Sequence, residues 1–73
     1  AGAAVRLGST VVVESGGERQ TYSLVGPTEA DPANGRISHV SPVGGALIGH
    51  HAGDEVTVQL PAGSVSYLLV EVR

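Results

Sequence analysis

The sequence predicts an α+β fold: an antiparallel sheet of about five strands with one short helix packed on one face. Short runs rich in Val, Leu and Ile, several of them alternating with polar residues, are separated by glycine-bearing turns, which is strand patterning. A single segment, Ser41–Gly49, carries both helix-start and helix-stop signals. The length, 73 residues, holds one small core and no second one. A domain of this size buries roughly 60% of the surface its unfolded chain exposes.

Residues 1–7 are assigned to a linker or a remnant of expression, and residues 8–73 to the folded domain. Thr10-Val11-Val12-Val13-Glu14 is a β-branched run and forms the first strand. Ser15-Gly16-Gly17-Glu18 follows as a tight turn, because two consecutive glycines accept the positive φ angles of a primed hairpin turn. From Gln20 to Val25 the period is two, with Tyr22 and Leu24 on one face and Thr21 and Ser23 on the other. These two segments make an antiparallel hairpin.

Gly26 to Gly35 is too dense in turn formers to be regular throughout, and Asn34-Gly35 turns the chain into a short strand, Arg36 to Val40. Ser41 then caps a helix, and Pro42 suits its first position, where a missing N–H costs nothing. Val43, Ala46 and Leu47 form one apolar stripe, and Gly49 fits a left-handed C-terminal cap. After the connector His50–Gly53, Val56, Val58 and Leu60 alternate with Thr57 and Gln59 in a one-sided strand. Pro61-Ala62-Gly63 turns into the last strand, Ser64 to Val72, whose apolar residues change face midway. Either that strand is central and covered on both sides, or a bulge near Tyr67 resets its register.

Composition closes several routes. With four arginines, no lysine and seven acidic residues the formal charge is −3, so no basic stripe awaits phosphates and direct nucleic-acid binding is not expected. The core is aliphatic, since Tyr22 and Tyr67 are the only aromatic residues. The absence of cysteine removes disulfides and thiolate metal sites and suits a reducing cytoplasm. No apolar run approaches the ~20 residues that span a bilayer.

Residues able to carry chemistry are sparse. His39, His50 and His51 are the only imidazoles, and adjacent histidines point apart, so solvent-facing loop histidines with Asp54 nearby are the plainer reading than a metal site. Glu29/Asp31 and Asp54/Glu55 are carboxylate pairs in turn contexts, where solvated charge is the simplest state. No Gly-x-Ser-x-Gly elbow and no phosphate-binding Gly-x-x-x-x-Gly-Lys string occurs. No catalytic residue, metal or cofactor is therefore expected, and the chain reads as a binding module rather than an enzyme.

The string Ser41-Pro42-Val43-Gly44-Gly45-Ala46-Leu47-Ile48-Gly49, followed by Gly53-Asp54-Glu55-Val56, resembles the C-terminal domain of the bacterial Gre (GreA/GreB) transcript-cleavage and elongation factors. Further matching pieces are Leu7-Gly8-Ser9-Thr10-Val11-Val12-Val13, Tyr22-Ser23-Leu24-Val25-Gly26, Glu29-Ala30-Asp31 and Leu60-Pro61-Ala62-Gly63, with Leu60 where threonine is usual. The helix-to-strand segment is also similar to FKBP-like domains, which keeps a minimal peptidyl-prolyl isomerase as the alternative, although that class lines its pocket with several aromatic rings.

The resemblance to Gre factors implies an FKBP-like domain that docks on the rim of the RNA polymerase secondary channel, against the coiled-coil element of the β′ subunit. In that family an N-terminal coiled coil with an acidic tip serves cleavage, and this sequence shows no such segment. The resemblance thus implies a cytoplasmic module that binds without cleaving, from a Gre factor or from a Gre-like paralogue that regulates polymerase without cleavage. Carried over residue by residue, the docking loop is His39-Val40-Ser41-Pro42-Val43, with Val40, Ser41, Pro42 and Val43 as the partner-binding set. Val40 stands where members carry Asp or Asn, and Pro42-Val43 has a second reading as a helix start with a core contact.

Overall fold

The structure, a computed structural model, describes residues 4–73. Five strands form one sheet: β1 (Thr10–Ser15), β2 (Glu18–Val25), β3 (Arg36–Ser38), β4 (Glu55–Leu60) and β5 (Gly63–Val72), in the order β3-β2-β1-β5-β4. The helix α1 (Pro42–Leu47) packs against both β3 and β4, the two edges, so the sheet curls around it. Between β2 and β3 the turn-rich segment folds into two single 3-10 turns, Pro27–Glu29 and Pro32–Asn34.

Local chemistry explains the hairpins. In the β1–β2 turn Gly16 and Gly17 have φ of +60° and +82°, and Ser15 pairs with Glu18 across them. The β4–β5 hairpin closes with Leu60 opposite Gly63 around Pro61-Ala62. The core comprises Val5, Val11, Val13, Leu24, Ile37, Leu47, Val56, Val58 and Leu69, an aliphatic set as expected. Val43, Ala46, Tyr22 and Tyr67 pack on its margin.

Four expectations are corrected. The sheet is mixed rather than wholly antiparallel, because β3 runs parallel to β2, with Leu24 opposite Ile37. Ten residues of turn separate the two strands, long enough to bring the chain back to the same end of β2 before β3 starts. That short strand ends at Ser38, two residues before the expected Val40. The register break of β5 lies at Val70, not near Tyr67: Val12 faces Glu71 while Val13 faces Leu69, leaving Val70 as the extra residue. This bulge lets both Leu69 and Val72 meet the core despite an odd spacing.

The fourth correction concerns residues 1–7. Residues 1–3 lie outside the described residues, but Val5 is fully buried in the core. Its N–H donates to the His50 carbonyl at 2.8 Å and its carbonyl accepts the Gly49 N–H at 2.9 Å. Gly49 has φ +86°, a conformation that glycine adopts without strain, as its expected capping role requires. The segment beyond residue 3 is therefore packed structure rather than linker.

Candidate functional site

The segment from Ser38 to Gly44 is a hydrogen-bonded knot that links the end of β3 to α1. Ser38 is buried, and both of its oxygens are occupied: its hydroxyl oxygen accepts the Val40 N–H at 3.1 Å, and its carbonyl accepts the Ser41 N–H at 3.0 Å and the Ser41 hydroxyl at 2.7 Å. Ser41 in turn caps the helix, its Oγ accepting the Gly44 N–H at 3.1 Å. His39 ties the knot to the sheet by donating its N–H to the Val25 carbonyl at 3.0 Å. A Cβ on Gly44 would stand 2.1 Å from the Ser38 carbonyl oxygen, so glycine lets the first helical turn sit directly on the end of β3.

The knot presents two apolar residues and withholds a third. Val40 is 66% exposed and Pro42 is exposed, whereas Val43 is half-buried and packs on the core. Of the four residues singled out in the sequence, Val40 and Pro42 thus face outward, Ser41 holds the loop's shape, and Val43 is turned inward as the structural reading of Pro42-Val43 had it. A further exposed apolar residue, Leu7, at 58%, sits at the same end of the sheet: Gly8 donates its N–H to the Leu24 carbonyl, next to Val25, which holds His39. Sequence reasoning missed Leu7 because it was set within the segment taken for a linker.

The titratable groups gather elsewhere. The Asp54 carboxylate accepts the His51 N–H at 2.9 Å and lies 3.2 Å from His50 Nδ1, and these contacts hold its pKa below the ordinary carboxylate value. His39 is at the end of β3, and among the described residues no group of three or more His, Asp or Glu could hold a metal ion. Asp31 exchanges backbone hydrogen bonds with Arg36 and accepts one from the Asn34 side chain at 2.6 Å. Tyr22 and Tyr67 line the margin of the core; burial, with the neighbouring Tyr67 phenol, raises the pKa of Tyr22, whose hydroxyl donates to Gln20. The described residues enclose no pocket.

The fold is thus a helix-covered five-stranded sheet that displays a hydrogen-bonded loop with outward apolar residues at one edge. A family model described as the C-terminal part of transcription elongation factor GreA/GreB matches residues 1–73, and the chain belongs to that family as its C-terminal domain. The chain is 51% identical over 69 residues to transcription elongation factor GreA of Thermomicrobium roseum, covering 94% of this chain and 44% of that protein. To GreA of Desulfovibrio desulfuricans it is 50% identical over 70 residues, covering 93% and 43%. Among solved structures, GreA factor homolog 1 (Gfh1) of Thermus thermophilus superposes with a TM-score of 0.84 at 36% identity, over 99% of this chain and 49% of that one. The GreA/GreB factor of Nitrosomonas europaea superposes with a TM-score of 0.76 at 35% identity, over 93% and 58%. The chain thus spans less than half the length of the curated relatives it matches.

Proposed function

We propose that this domain is the RNA polymerase-docking part of an elongation factor, binding the β′ coiled-coil element at the rim of the secondary channel through the loop around Val40 and Pro42. The observation that supports this reading is the Ser38–Ser41 knot. It fixes a solvent-facing valine and proline in one geometry, so little conformational freedom remains to be lost when a partner covers them. The domain binds in the cytoplasm and does not itself cleave; no helix among the described residues is long and apolar enough to cross a membrane.

Val40 gives this docking loop an apolar tip where the family resemblance leads one to expect Asp or Asn, so the contact loses a polar partner and gains buried apolar area. The test is binding of the 73-residue chain to bacterial RNA polymerase core, with a full-length GreA as competitor. Competition is expected, and Val40→Lys should weaken binding about tenfold or more, the effect of losing about 1.4 kcal/mol at an interface. Unchanged binding by Val40→Lys and Pro42→Lys together, or binding that GreA does not displace, would overturn the reading. Val43 is unsuitable for this test because a charge there would enter the core margin.

A further inference from the structure

β4 is an edge strand, and its outward backbone groups are unpaired. The two-residue loop Pro61-Ala62 makes Leu60 and Gly63 the closing pair, which exchanges both of its hydrogen bonds. By alternation Val58 and Val56 also bond to β5, while Glu55, Thr57 and Gln59 direct their N–H and C=O groups away from the sheet. None of those groups has a hydrogen-bond partner among the described residues, and all three side chains are exposed. The strand Glu-Val-Thr-Val-Gln-Leu carries no lysine, proline or bulge, the usual devices that keep an edge from pairing.

We propose that β4 pairs antiparallel with β4 of a second copy of this chain, across a two-fold axis passing beside Thr57. The occupant is a second copy because the strand is complementary to itself, and among the registers that keep like faces together the one centred on Thr57 pairs all three outward residues, where those centred on Val56 or Val58 pair two. Centring on Thr57 sets Thr57 opposite Thr57, Val56 opposite Val58 and Glu55 opposite Gln59. Each residue then meets one from the same face of the sheet, apolar against apolar and outward against outward. The single charge, Glu55, meets an amide rather than its own copy. The outward groups of Glu55, Thr57 and Gln59 fall in hydrogen-bonded positions, so three pairs form, each exchanging two bonds. So short a seam buries less than the ~1,200 Å² of standard interfaces, so the pairing is weak, with a dissociation constant on the order of 0.1–1 mM.

The test follows backbone amide NMR shifts and translational diffusion of the 73-residue chain from about 20 μM to about 1 mM. Diffusion is expected to slow, with shifts concentrated at Glu55, Thr57 and Gln59. Because Thr57 meets itself, Thr57→Lys and Thr57→Glu should each abolish association by placing like charges opposite one another. An equimolar mixture of the two variants should restore it. A chain that stays monomeric, shifts centred elsewhere, single variants that associate like the parent, or a mixture that does not associate would each overturn the proposal. The charged side chains project into solvent and the Thr57 backbone groups bond to nothing among the described residues, so the variants fold.

Discussion

At the β3 edge of the sheet every outward carbonyl has a partner, and at the β4 edge the outward groups have none among the described residues. Arg36 exchanges its N–H and C=O with Asp31, held in place by the 3-10 turn Pro32–Asn34, and the Ser38 carbonyl takes two bonds from Ser41. β4, twice as long at 6 residues against 3, faces solvent with its alternate amides free. The difference shows two uses of a sheet margin. A closed edge becomes a rigid platform on which a short loop can be displayed, whereas an open edge keeps the hydrogen-bonding capacity of a strand that has yet to find its neighbour.

The contrast is broken most severely at the helix that closes the first edge. Leu47 is fully buried and fastens α1 to the sheet, so Leu47→Ala should cost about 3 kcal/mol, read as a fall in the denaturant midpoint. Ser41→Ala removes the cap on Gly44 and one of the two bonds to the Ser38 carbonyl. It should cost about 1–2 kcal/mol while raising hydrogen exchange at the Gly44 amide. On the open edge the same kind of change is nearly silent: Thr57→Lys should alter stability by no more than about 0.5 kcal/mol at micromolar protein, measured by the same denaturation.

The smallest effect is a pH slope in the connector between α1 and β4. The folded-state pKa of Asp54 is lowered, so its contribution to stability is complete above the unfolded-state value and is lost as pH falls through the folded one. Asp54→Asn should flatten the acid limb of the stability profile in that window, and a profile identical to the parent's would show that the His51 and His50 contacts do not matter to folding.

How much of this was legible in the sequence depends on range. The turns and the cap are local, and they stood out: two glycines force the primed hairpin turn, and Ser41-Pro42 marks the helix start. The parallel pairing of β3 was not legible, because a three-residue strand has no period of its own and its partner is fixed by packing of Ile37 against Leu24. Val5 sits among alanines and glycine with no pattern around it, so its burial follows only from the three-dimensional closeness of the α1–β4 connector. At the site, the loop could be located, but which of Val40 and Val43 faces outward depends on how tightly Gly44 lets the helix approach β3.

One pairing bears on the mechanics of the molecule. Thr10, at the start of β1, and Arg73, just beyond the end of β5, exchange two backbone hydrogen bonds, at 3.2 and 2.7 Å, so the start of the first strand and the end of the last are direct neighbours. Tension applied between these two points loads that pair alone and then the next, peeling β5 from β1 like a zipper instead of shearing a whole row of bonds at once. The domain should yield at low force in that direction.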